Sequence, residues 1–187
     1  ATYGGLCRFD GFKFKNYLLP IVDSSQVSGS NLIIKVLCWQ KQVWCLNLTG
    51  QFFILDPSKD IFVYSGFSIS TKKGDKPQTG LIDFIIDDQR GCFWIMGKES
   101  IRKLDLASGK TEEVLHSKAE ITGDILLDLN GMLWFSTSAG EICFNPDTKS
   151  EITFFDAKKI TAHCLKGSII YCLGSFDTIC LIDTRTM

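Results

Sequence analysis

The stretch Leu81-Ile82-Asp83-Phe84-Ile85-Ile86-Asp87-Asp88-Gln89-Arg90-Gly91-Cys92-Phe93-Trp94 can be laid without a gap on Ile121-Thr122-Gly123-Asp124-Ile125-Leu126-Leu127-Asp128-Leu129-Asn130-Gly131-Met132-Leu133-Trp134. Each copy reads as an apolar strand, a D-x-x-G turn and a second strand carrying a tryptophan. The turn has a physical logic: an Asp side chain accepts bonds from nearby backbone N–H groups, and glycine takes the positive φ of a tight hairpin. The two tryptophans stand 40 residues apart. After each, a short turn leads to a third strand that ends eleven residues on in an acid or amide, Ile101-Arg102-Lys103-Leu104-Asp105 and Ile142-Cys143-Phe144-Asn145. A polar turn and a fourth strand follow, Thr111–Leu115 and Glu151–Phe155. Each repeat is therefore a four-stranded meander.

Weaker copies flank these two. Val36–Trp44, Gln51–Asp56 and Ile61–Tyr64 make a full unit whose first turn has lost both Asp and Gly. Ile160–Leu165, Ser168–Leu173 and Thr178–Asp183 give three strands, with Tyr171 at the tryptophan position. At the other end Thr2–Asp10 matches Thr137–Asn145, and Phe12–Tyr17 supplies a fourth strand. Four-stranded antiparallel units at this period suggest a β-propeller, in which each twisted sheet is one blade. A β-sandwich also explains alternating strands, but it does not require Trp94 and Trp134 to recur in the same strand behind the same turn; both read as wedges in the core. The expectation is an all-β chain, a partial β-propeller of about four to five blades and open-ended. The units fall at 1–17 (half blade), 32–64, 81–115, 121–155 and 160–187 (incomplete) in one propeller fragment. A seven-bladed ring at ~40 residues per blade needs about 280 residues, against 187.

Composition limits the functional classes. The chain is 45% hydrophobic and 12% aromatic, which excludes disorder, and its 20 basic and 21 acidic side chains leave a net charge of −1. That balance lacks the electrostatic footprint of a nucleic-acid binder. No apolar run approaches the ~20 residues that span a bilayer. The eight cysteines include no C-x-x-C pair, and only His116 and His163 could complete a metal site. Most of them lie in apolar segments such as Ile142-Cys143-Phe144, where a thiol packs as a small hydrophobe. Disulfides or zinc are the alternative readings, and the redox compartment is left open.

Asp88-x-x-Gly91-x-x-Trp94-Ile95, Asp128-x-x-Gly131-Met132-Leu133-Trp134-Phe135-Ser136-Thr137 and Thr2-x-x-Gly5-Leu6-x-Arg8-Phe9-Asp10-Gly11-x-x-Phe14 resemble the two-component regulator propeller repeat. That family's propellers form the periplasmic sensors of hybrid histidine kinases, notably in gut Bacteroidetes. The resemblance implies detection of polysaccharide fragments, with the membrane helix, kinase core and phosphorelay outside this chain. Departures are Gly97 and Asn47 for the motif threonine, and Ser100 and Glu141 for its leucine.

Catalysis finds no support in the residues. His116 and His163 lie in strand-like surroundings without the helix and nucleotide loops of a kinase. A nucleophile elbow is absent. Asp87 and Asp88 are adjacent on a strand and point to opposite faces, so they read as a solvated turn with an Asx cap. Asn47-Leu48-Thr49 fits a glycosylation sequon by chance. No cofactor or metal is expected.

In a propeller, connections from a fourth strand to the next first strand share a face with the turns between strands two and three. Two such connections are long, Leu18–Asn31 and Ser65–Gly80, and long loops in compact domains carry function. Phe67, Lys72 and Lys73 in the second, with Phe176 in a strand-two to strand-three turn, are the candidate ligand residues, because an exposed ring with Lys neighbours can stack on a sugar and bond its hydroxyls. Trp39, in the hairpin turn on the opposite face, is the candidate partner contact or else packing left by the altered turn. The expected partners are an oligosaccharide and a second copy of the chain, paired through open blade edges such as Thr178–Asp183.

Overall fold

The computed structural model describes residues 4–22, 31–69, 80–155, 160–174 and 178–186. Among them are seventeen strands and no helix, so none of the described residues forms a helix long and apolar enough to cross a membrane. The contacts group into two compact units that divide after Leu81.

In the first unit β1 (Leu6–Phe9) pairs with β2 (Phe14–Tyr17), while β3 (Ile33–Trp39), β4 (Gln42–Asn47), β5 (Gln51–Asp56) and β6 (Ile61–Ser68) form a four-stranded antiparallel meander. The two sheets share a core of Leu6, Tyr17, Leu19, Cys45, Phe53 and Phe62. Tyr17 donates its hydroxyl to Asp60 at 2.7 Å, and Lys15 pairs with the same carboxylate. The small sheet is thereby fastened to the β5–β6 turn.

In the second unit β7 (Leu81–Asp87), β8 (Cys92–Gly97), β9 (Ser100–Asp105) and β10 (Thr111–His116) form one meander. The next is β11 (Ile121–Leu127), β12 (Leu133–Thr137), β13 (Gly140–Asn145) and β14 (Ser150–Phe154), and β15 (Ile160–Lys166), β16 (Ile169–Gly174) and β17 (Ile179–Asp183) form a three-stranded sheet. First strands lie side by side: β11 neighbours β15, and the Ile125 N–H on β11 donates to the buried Asp83 on β7 at 3.0 Å. The fold is the partial β-propeller of four-stranded antiparallel blades that the repeat predicts.

The tryptophans are wedges between sheets. Trp94 packs with Ile101 against Ile121, Ile125 and Phe135 of the following sheet, and Trp134 packs against Ile160, Ile170 and Ile182 of the one after. Each indole N–H is held by the carboxylate of its own turn, Trp134 by Asp128 at 2.9 Å and Trp94 by Asp87 at 3.0 Å. The ungapped alignment assigns the second role to Asp88. Asp88 is exposed and Asp87 is 1% exposed; the bonded acid stands seven residues before Trp94 and six before Trp134.

The recurring turn residues act on the neighbouring blade as well. Arg90 bonds Asp87 within its turn, then reaches the Gly131 carbonyl and grips Asp147 through two bonds of 3.1 and 2.6 Å. Asn130, one blade on, donates to the Thr184 carbonyl at 3.2 Å. The acid or amide closing each third strand caps the turn that follows: Asp10, Asp56, Asp105, Asn145 and Asp183 each accept backbone N–H groups two or three residues later. Gly5 and Gly140 open equivalent third strands with φ of 119° and 143°. A Cβ on Gly140 would lie 2.7 Å from the Phe154 carbonyl oxygen, and one on Gly5 would meet that of Tyr17, so glycine stands where two strands close in.

Candidate functional site

The β8–β9 turn, Lys98-Glu99, and the β10–β11 connection, Ser117–Glu120, lie on the face shared by such turns and connections. Between them is an open cavity of about 700 Å³, lined also by His116. Its floor is tied down by backbone: Ser117 N–H donates to the Glu99 carbonyl and Ile121 N–H to the Lys98 carbonyl, both at 2.8 Å. Above that floor the rim is charged. Lys98 pairs with Glu120 at 3.2 Å and His116 lies 3.5 Å from Glu113. Ammonium, carboxylate, imidazole and backbone groups together offer donors and acceptors to a polyhydroxylated or zwitterionic ligand.

Of the residues nominated from sequence, the described ones, Phe67 and Trp39, do not line this cavity. Lys72, Lys73 and Phe176 lie outside the described residues. Phe67 belongs to β6, which runs on to Ser68 rather than giving way to a loop at Ser65. A bulge is the cause: the register shifts between Gln51 and Phe53, Gly66 takes φ of 88°, and the Ser65 hydroxyl donates to the Phe52 carbonyl at 2.8 Å. Such a bulge re-aims the next side chain, and the half-buried Phe67 ring stacks on Trp44 at 6.4 Å. Trp39, at the end of β3, is also half-buried, 5.9 Å from the same Trp44. Two residues nominated for opposite faces thus converge on one buried indole. The cavity residues were passed over because their connection is short, although the lysine and glutamate pairs at 98–99 and 118–120 stand at turn positions the repeat itself defines.

The structure holds three residues of the types used in nucleophilic hydrolysis, but in the wrong bonding order. The Ser136 hydroxyl donates to Glu141 at 2.6 Å, and His163 uses Nδ1 on Glu141 and Nε2 on the Asp124 carbonyl. No ring nitrogen faces the hydroxyl, as nucleophile activation requires. Burial pushes the thiols of Cys45, Cys92, Cys143 and Cys172 up to about 12, away from the thiolate. Not all cysteines are buried, however: Cys7, Cys38 and Cys164 are exposed. Among the described residues no cluster of His, Cys, Asp or Glu has the arrangement of a metal site. The Asn47 side chain is fully buried and donates to Gln51 at 3.2 Å, so its sequon cannot carry a glycan on the folded chain.

No family model matches this sequence, and no curated protein does. Solved structures do. The extracellular domain of BT4673 from B. thetaiotaomicron, described both as a one-component and as a hybrid two-component system, superposes over 96% of this chain with a TM-score of 0.66. The chain shares its fold. Identity is 17%, and the chain spans 25% of that protein's length. PorZ of Porphyromonas gingivalis, a surface component of the type-IX secretion system, is similar over 98% of the chain at 13% identity, with a TM-score of 0.66 and 30% of PorZ covered. The computationally designed Ika4 is similar over 90% of the chain and 98% of its own length, at 11% identity and a TM-score of 0.59.

Proposed function

We propose that this chain is a ligand-sensing extracytoplasmic propeller segment of a hybrid two-component sensor histidine kinase and response regulator. In this reading it detects oligosaccharides released from polysaccharides and signals to a kinase outside the segment. The observation that carries the reading is the blade repeat, with its Asp-held tryptophan, in a fold shared across 96% of the chain with the extracellular domain of a two-component system. In this reading the chain has no catalytic role, and Ser136, Glu141 and His163 bond one another and backbone. It works in the periplasm as part of an inner-membrane receptor whose membrane attachment lies in other segments. Calorimetry of an ectodomain containing this chain against a panel of oligosaccharides tests the proposal. At least one class binds, and Lys98→Ala or Glu120→Ala weakens it roughly tenfold, which is about 1.4 kcal/mol. Indifference to every class refutes a glycan sensor.

A second reading, a scaffold or dimerisation propeller, is favoured by exposed apolar groups. Phe9 and Phe14 stack at 4.6 Å while 55% and 72% exposed, and Ile179 and Leu181 on β17 are 69% and 60% exposed. β17 is also an edge of its three-stranded sheet. Light scattering decides it: a concentration-dependent dimer that Leu181→Lys dissolves supports pairing through this edge, and a monomer at every concentration removes it.

A further inference from the structure

The second unit carries a buried titratable pair outside the candidate ligand cavity. His163 projects from β15 into the neighbouring β11–β14 sheet, its side chain 1% exposed beside a Glu141 side chain that is 0% exposed. Nδ1 lies 2.6 Å from Glu141 Oε1 on β13, and Nε2 lies 2.8 Å from the Asp124 carbonyl on β11. Both partners are acceptors. A neutral imidazole has one N–H and would face one of them with a bare nitrogen lone pair; only the imidazolium donates to both. Leaving such a contact unmade inside the protein is costly.

The surroundings are built for that charged form. Ser136, opposite Glu141 in the β12–β13 register, donates to its other oxygen at 2.6 Å. A bulge in β11 between Ile121 and Ile125 presents the Asp124 carbonyl to the ring. Gly123 lets that bulge approach, since a Cβ there would sit 3.1 Å from the Ser136 Cβ. The titratable groups around the ring are Glu141 on β13, Asp124 on β11 and, on its own sheet, Cys172 opposite it on β16 with Cys180 beyond on β17.

We propose that His163 is a protonation-dependent latch that holds the β15–β17 sheet against the β11–β14 sheet, engaged while the imidazole is charged and loosened when it loses its proton. The electrostatics agree with the geometry. Burial alone draws the proton affinity of His163 down, but the bond to Glu141 and its charge, with the Asp124 carbonyl, hold it above 6.5. A folded-state pKa above the unfolded value means that the native chain binds the extra proton. The latch therefore contributes fully below about pH 6.5 and is lost as pH rises through the folded value.

Nitrogen-resolved imidazole NMR and urea unfolding across about pH 6 to about pH 9 test the latch on the whole chain. Both His163 nitrogens are expected to remain protonated at pH values where a free histidine is neutral. The wild-type folding constant is expected to fall up to tenfold per pH unit, between about pH 6.5 and the His163 titration, relative to His163→Gln. A neutral His163 at about pH 6.5 or below, or the same slope in His163→Gln, overturns the proposal. If His163→Gln does not fold, the wild-type spectrum decides alone.

Discussion

Replacing Asp128 by Ala removes a carboxylate that accepts three bonds, from the Trp134 indole at 2.9 Å and from the N–H groups of Asn130 and Met132 at 2.8 and 3.0 Å. The indole is fully buried, with Trp134 0% exposed, so leaving its N–H without an acceptor costs about 1–3 kcal/mol. The two turn bonds, half-exposed and to a charged acceptor, add about 1 kcal/mol each. The expected loss is roughly 3–5 kcal/mol, a large part of the ~5–15 kcal/mol that holds a domain together. Urea unfolding measures it as a fall in midpoint with an unchanged slope. A double-mutant cycle isolates the bond to tryptophan: in a Trp134→Phe background, Asp128→Ala should cost about 1–3 kcal/mol less, because no buried donor is stranded. An undiminished cost in that background would falsify the Asp–Trp reasoning.

Asp87→Ala is expected to cost at least as much by the same assay, since it strands Trp94 and an Arg90 bond at 2.8 Å. Burial raises the Asp87 pKa, but its bonds to Arg90 and Trp94 outweigh this and hold it below 3.8. Its contribution is therefore present above about pH 4 and lost as pH falls through the folded value, and Asp87→Asn flattens that acid limb. Arg90→Lys, lacking the two-pronged grip on Asp147, should behave more like Arg90→Ala than like wild type in thermal melts. Gln40 and Lys41 both hold positive φ, 48° and 63°, in the β3–β4 hairpin; replacing them with Asn-Gly should stabilise the chain by about 0.5–1 kcal/mol, and a lower unfolding midpoint counts against that turn.

Blades were legible because their signals are local. Strand alternation, an Asp before a glycine and the recurring tryptophan all act within a dozen residues, and the acid or amide closing each third strand proved to be a turn cap. What was not legible depends on single-residue slips. One extra residue between the bonded acid and the tryptophan makes Asp87 rather than Asp88 the partner of Trp94, and a bulge at Gly66 carries Phe67 out of an expected loop onto Trp44. His163 and Glu141 meet across two sheets, 22 residues apart in sequence. No motif announces that contact, because it depends on a bulge in β11 and on which face of β15 the ring takes. The cavity at Lys98 and Glu120 was implied by the blade topology but carried no distinctive residue pattern.

The most direct test of the sensor reading is amide NMR of a labelled ectodomain titrated with polysaccharide-derived oligosaccharides. Shifts centred on Lys98, Glu99 and Ser117–Glu120 are the expected result, with the capped turns at Asp105 and Asn145 undisturbed. Shifts confined to those capped turns, or none with any oligosaccharide class, would contradict it.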